Sequence, residues 1–335
     1  MKKRNVALAI GGAVGAAVAV KMLTRAKSVN WNDVVSLIPH AENSHFVSVD
    51  GAHVHYQEFG DASKPTMVLI HGYTASLYVW KTTAPMLADA GFHVVALDLL
   101  GFGYSDKPKS FDYAITSQAR IVERFMDCLG IGQATLVGSS YGGAVAATLA
   151  LDYPERVEKL VLVDAVSNDN VKSHPILKLA AIPGIGEAIT PFLIDSRFFQ
   201  RHRMRGTLAR ANHDLITDER VEGILRPLTA ADAHHSLLAT SRAWSANRIE
   251  QDAHLINQPT LIIWGEDDKV IPVDDGHALH QSILHSRLVI LKNCGHVPPE
   301  EKSDIFVNLV TEFCHDPKGR EAGAARDGAE MYVES

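Results

Sequence analysis

From His45 onward, short apolar runs alternate with stretches in which apolar residues recur at helical spacing. The runs at 67–70, 94–97, 135–137, 160–163, 261–264 and 288–291 are too short for helices and, Thr135 apart, have no polar positions, which predicts strands covered on both faces. Two further runs, 47–49 and 54–59, flank Asp50-Gly51, a hairpin signal. Stretches 80–89, 116–129, 144–151, 274–283 and 305–313 carry the helical period. The alternation predicts an α/β chain, with a mostly parallel sheet and helices on both faces.

The interval between the run at 160–163 and the run at 261–264 is too long for one crossover. It alternates helical segments with breaks at Pro175, Pro183-Gly184, Pro191 and Pro227, which predicts a helical cap inserted at 167–250. The core then falls into two parts, 45–166 and 251–315, preceded by a linker at 28–44. Residues 316–335 are rich in Gly, Ala and charge, and read as a disordered tail.

The first 27 residues have a pattern of their own. Lys2, Lys3 and Arg4 precede an uncharged apolar run at 6–20, and Lys21, Arg25 and Lys27 follow. With Met22 and Leu23 the run makes about 27 Å of helix, just short of a ~30 Å hydrocarbon core. It predicts a single N-terminal membrane anchor, the tighter positive cluster placing the globular part outside the cytoplasm. Ala17-Val18-Ala19 offers the alternative of signal cleavage and secretion.

Composition narrows the classes. With 335 residues, 46% hydrophobic and 21% charged, the chain can bury a large core. Its net charge of −7 argues against nucleic acid as a partner, because phosphates call for a basic surface. The three cysteines include no C-x-x-C pair, and neither a metal nor a cofactor is expected. Oligomeric state has no signal in the sequence.

The chemistry centres on Gly138-Ser139-Ser140-Tyr141-Gly142. Only Ser140 has Gly two residues before and two after, and it lies between an apolar run and a helix-forming run, the strand, tight turn and helix context of a nucleophile elbow. A serine at its free pKa needs a base, and the base needs an orienting carboxylate. Of 17 histidines, His296 follows the last apolar run of the core in Asn293-Cys294-Gly295-His296, whereas His53, His55 and His71 lie in or beside early strands. Asp268, in Gly265-Glu266-Asp267-Asp268, is the preferred acid; Asp267 and Asp164 are the alternatives. Backbone donors for an oxyanion are expected at Tyr141, after the nucleophile, and at Tyr73, after His71-Gly72.

These motifs, with Asp98-Leu-Leu-Gly-Phe-Gly103-Tyr-Ser105, Pro272 and the chain order Ser, Asp, His, resemble the α/β-hydrolase superfamily over about 45–313. The resemblance implies an eight-stranded, mostly parallel sheet with an inserted cap, catalysis by Ser140, Asp268 and His296, and oxyanion donors at Tyr73 and Tyr141. It implies loop roles for Asp98 and Ser105. Serine rather than aspartate at the elbow points to acyl transfer. The anchor and cap make the chain similar to membrane-anchored monoacylglycerol lipase and esterase-like members, which implies a small-molecule ester or lipid substrate with an apolar acyl group, and the membrane as a partner. Carbon–carbon bond hydrolases and perhydrolases share the triad and stay as alternatives, as does a ligand-binding receptor with little turnover. In the cap, Arg197, Arg201, Arg203, Arg205 and Arg210 occur without an acid among them, which reads as a basic surface for anionic headgroups or as a solvated, paired face.

Overall fold

The computed structural model describes residues 29–170, 182–316 and 331–333. Its frame is one sheet in the order β1-β2-β4-β3-β5-β6-β7-β8-β9. The strands are β1 (Ser44–Val49), β2 (Ala52–Phe59), β3 (Thr66–Ile70), β4 (His93–Leu97), β5 (Ala134–Ser139), β6 (Val157–Val163), β7 (Thr260–Gly265), β8 (Ser286–Leu291) and β9 (Met331–Val333). The β1/β2 hairpin turns at Asp50-Gly51, both at positive φ, and β2 pairs antiparallel with β4. All remaining pairings are parallel.

The continuous apolar runs are explained by two cores. Val68, Ile70, Leu136, Leu160, Leu162, Ile262 and Trp264 face one side, where helices Ile115–Cys128 and Tyr141–Asp152 contribute Phe125, Met126, Val145 and Leu149. Met67, Leu69, Val137, Val161, Val163, Leu261 and Ile263 face the other, against Leu87 of Thr83–Asp89 and Phe306 and Val310 of Ser303–His315. The central strands β3, β5, β6 and β7 therefore bury side chains on both faces, the condition under which period-two alternation disappears.

Several expectations need correcting. Among the described residues the sheet has nine strands rather than eight, because Met331–Val333 adds in parallel to β8 within a stretch expected to lack structure. The edge of β8 presents unpaired backbone groups, and a short Met-Tyr-Val run satisfies them, as in the Lys292 N–H bond to Val333 O at 3.1 Å. The segment expected to be a linker packs on the hairpin: Trp31 lies 5.0 Å from the Phe46 ring, 4.9 Å from His55 and 5.5 Å from Tyr104. Among the described residues no helix is long and apolar enough to cross a membrane, and the expected anchor at 1–27 lies outside them. A membrane-anchored location and a membrane partner are therefore not supported.

Between β6 and β7 the chain forms helices Ile185–Ile194, Arg197–Thr207, Asp218–Leu228, Ala231–Ala243 and Asn247–Asp252. Pro183-Gly184 does precede a helix start, but Pro191 and Pro227 lie inside helices. Pro227 falls one residue from its helix end. Pro175 is outside the described residues. The two ends of 167–250 meet, with the Glu250 N–H donating to Ser167 O at 3.0 Å.

Candidate active site

The turn between β5 and helix Tyr141–Asp152 holds Ser140 at φ 54° and ψ −118°. Such a backbone costs about 1–3 kcal/mol for a residue with a Cβ and persists only where neighbours enforce it. Here they do. A Cβ on Gly138 would lie 2.4 Å from Gly142 O, and one on Gly142 would lie 2.2 Å from Ile70 O. Strand, helix and the β3 end are thus closer than any larger residue permits. The Ser140 N–H is tied to Val163 O at 2.9 Å, and Ser140 O accepts from Val166 N–H at 3.1 Å.

Three sequence-predicted residues are brought into one hydrogen-bonded line. Ser140 Oγ is 2.9 Å from His296 Nε2, and His296 Nδ1 is 2.7 Å from Asp268 Oδ2. With the proton on Nδ1, His296 donates to Asp268 and accepts from the Ser140 hydroxyl. The Asp268 side chain is wholly buried, and its Oδ1 accepts from the N–H groups of Val270 at 2.7 Å and Ile271 at 3.1 Å. The turn before Pro272 therefore aims this carboxylate. Such a line can move a proton from a serine hydroxyl to an imidazole whose positive charge is stabilised by a buried carboxylate.

The loop after β3 passes beside the nucleophile. A Cβ on Gly72 would meet Ser140 Cβ at 3.0 Å, which sets the backbone leading into Tyr73 against Ser140. The Tyr141 amide opens its helix, so no preceding turn supplies it an acceptor. The phenol of Tyr73 is committed elsewhere, donating to Leu237 O at 2.8 Å, which leaves its backbone as the part that bears on Ser140. Thr74 is held at φ 58°, an unusual value for a β-branched residue.

The alternatives land differently. His53 is exposed beside Asp106, with Nδ1 3.1 Å from Asp106 Oδ2. His55 and His71 are buried around Asp98: His55 Nδ1 is 2.7 Å from Asp98 Oδ2, and His71 Nε2 accepts from the Leu99 N–H at 3.1 Å. Asp98 also accepts from the N–H groups of Leu77 and Tyr104. Burial raises its pKa, but His55, His71 and the Tyr104 amide outweigh this and hold the carboxyl below its ordinary value. Ser105 donates to Asp98 O at 2.6 Å. These residues lock loops together. Asp267 is exposed.

Asp164 is the surprising neighbour. Wholly buried at the end of β6, it accepts from the Gly265 N–H at 2.9 Å through Oδ1, while Oδ2 has no partner among the described residues. Burial, then the nearby Asp268 charge, pushes its carboxyl well above the usual range. Asp164, Asp268 and His296 place one ligand atom each within 4.8 Å of one another. Both His296 nitrogens are already committed, so a metal there would have to displace Ser140 or Asp268.

Sequence reasoning missed Glu301 and Arg220, and named Arg203 only as part of a basic cap surface. The Glu301 carboxylate accepts from the N–H groups of Gly295 at 3.0 Å, Val297 at 3.2 Å and Ala209 at 2.8 Å, holding the His296 loop to the insertion. Its nearness in sequence to His296 was the available signal. Arg203 and Arg220, from two insertion helices, line the same cavity as Gly72, Ser140 and His296, a space of about 650 Å³ that is partly open to solvent. The basic run in the insertion does not form a single face: Arg197 pairs with Glu222 at 2.7 Å and Arg201 with Asp218, while Arg203 lines the cavity. No spacing rule separates those outcomes.

Known proteins share sequence and architecture with this chain. The sequence model of the alpha/beta hydrolase fold family matches residues 65–188 and 196–303, well over half the chain. An uncharacterized hydrolase, YugF of Bacillus subtilis, is 30% identical over 269 residues, covering 79% of this chain and 96% of its own. A meta-cleavage product hydrolase from Pseudomonas fluorescens superposes with a TM-score of 0.70 at 27% identity, covering 82% of this chain and 98% of its own. A membrane phospholipase A superposes with a TM-score of 0.69 at 25% identity, covering 97% and 100%. The chain belongs to the alpha/beta hydrolase fold family.

Proposed function

We propose that this α/β hydrolase is a serine hydrolase that cleaves carboxylic esters through an acyl-enzyme on Ser140. The observation that carries the reading is the unbroken line from Ser140 Oγ through His296 to Asp268, with contacts of 2.9 and 2.7 Å. Ser140 Oγ attacks the ester carbonyl as its proton passes to His296 Nε2, and Asp268 stabilises the imidazolium. The backbone N–H groups of Tyr73 and Tyr141 donate to the oxyanion. His296 then protonates the departing alcohol, and water releases the acid from Ser140 by the same steps in reverse. The insertion at 167–250 is the cap over this site.

Val79, Met204 and Ile224 on the cavity wall favour an apolar acyl group, with monoacylglycerols among the candidates. A second reading, hydrolysis of a carbon–carbon bond, draws support from the relatives named as meta-cleavage product hydrolases and 2-hydroxy-6-oxo-2,4-heptadienoate hydrolase. A fluorophosphonate is expected to label the folded protein on Ser140, and Ser140→Ala to abolish both labelling and p-nitrophenyl ester turnover. Absence of labelling in the wild-type chain sinks the reading. Faster turnover of a diketo acid than of any ester moves the reaction to carbon–carbon cleavage.

A further inference from the structure

The cavity beside Ser140 holds more positive charge than its own residues neutralise. Arg203 bonds only to neutral groups, with Nη1 donating to Thr74 Oγ1 at 2.7 Å and Nε to Gln200 Oε1 at 2.9 Å. Among the described residues it has no acidic partner. Arg220 is 5% exposed and donates through Nη2 to Glu300 Oε2 at 2.7 Å, leaving its Nε and Nη1 without partners. The two guanidiniums repel each other. Burial, then the Arg220 charge, lowers the Arg203 pKa to about 10, so it stays protonated at neutral pH.

A largely buried cation without a counter-charge is destabilising, by several kcal/mol in general, and a bound anion relieves that cost. A guanidinium presents a planar fork of donors that matches a carboxylate. Arg203 keeps some surface open and shares the cavity with Ser140, while its bond to Thr74 ties it to the loop next to the nucleophile.

We infer that this cavity takes acyl substrates carrying a second, anionic group, a carboxylate, which binds Arg203 with Arg220 beside it. The inference rests on the serine-hydrolase reading and narrows its substrate class to half-esters and related acyl acids with an apolar middle, which lies against Met204 and Ile224.

Two series of fluorophosphonates test it, identical in chain length and differing only in a terminal carboxylate or its methyl ester. At the best length the carboxylate compound should label Ser140 about ten- to hundred-fold faster, the range expected for charge-assisted hydrogen bonds. Arg203→Met should bring that ratio to about one, and Arg203→Lys should retain part of it, since charge remains and the fork is lost. The paired change Arg220→Met with Glu300→Gln, which strands no charge, should lower the ratio as well. A merely structural role for Arg203 slows both compounds alike and leaves the ratio intact; that result overturns the inference. Equal labelling by both series in the wild-type chain overturns it too, while leaving the serine-hydrolase reading in place. Labelling by neither series removes that reading, and the inference with it.

Discussion

One wall of the cavity, carrying Gly72, Ser140 and His296, is built from strand ends and tight turns; the facing wall, carrying Arg203, Met204, Arg220 and Ile224, is built from helices of the insertion. On the first wall, backbone dictates side-chain position. Ser140 is aimed by a strained turn, and His296 by a loop whose amides are bound to Glu301. On the second wall, long side chains reach in from helices, and their position depends on which neighbours pair with them. The walls meet where the His296 N–H donates to Thr207 O at 2.7 Å. The difference teaches that Ser140 and His296 are placed by local backbone geometry, and the side chains opposite them by a packing that other helix neighbours would redirect.

That contrast can be broken in measurable steps. The largest expected effect belongs to Asp268→Asn, which should lower kcat by about 10⁴-fold, as when a histidine loses its orienting acid. Asp164→Asn should leave most of kcat. A reversal of the two in ester turnover would make Asp164 the orienting acid. Next comes Gly142→Ala. Its Cβ meets Ile70 O at 2.2 Å, and overpacking there should destabilise the fold by about 3 kcal/mol, read by urea denaturation. An unchanged midpoint would mean that the elbow is less tightly packed than the geometry indicates.

Asp164→Asn carries a signed pH test. Because the folded-state pKa of Asp164 is raised, its contribution to stability is fully present below its unfolded pKa, about 3.9, and is lost as pH rises toward the folded value. Asparagine keeps the acceptor for the Gly265 N–H and removes the titration. The variant should therefore match the wild type near pH 4 and gain stability over it toward pH 8. A gain that shrinks with rising pH would contradict the burial of this carboxyl. The smallest effect is expected on the insertion side. A Cβ on Gly206 meets nothing within 4 Å, so Gly206→Ala in helix Arg197–Thr207 should stabilise by about 0.5–1 kcal/mol. A loss there would show that this helix has no more slack than the elbow.

How much of this was legible varied with distance along the chain. The central strands were readable because each of them buries both faces, so a run such as 261–264 has no polar position to obscure it. The serine register was readable because the glycines that let strand, helix and loop approach are two residues away on each side. Ser140, His296 and Asp268 were each visible as residues following an apolar run, and their contact follows from parallel strands that end on the same side of the sheet. The ninth strand was hidden because three residues, 331–333, have no period to read and gain their structure only from the open edge of β8. The anchor expected at 1–27 rested on an apolar run and its flanking charges, and no described helix supports it.

By itself, then, the sequence determined the alternation of strands and helices and the tight elbow, because steric rules act over a few residues and leave their mark in glycine and apolar spacing. Tertiary structure alone decided that Arg197 and Arg201 meet acids of the next helix while Arg203, between Arg201 and Arg205, lines the cavity. It alone decided that burial and the Asp268 charge raise the Asp164 pKa while Asp268 bonds His296. Charge has no address until the fold supplies a partner or withholds one, and both outcomes depend on residues far away in the chain.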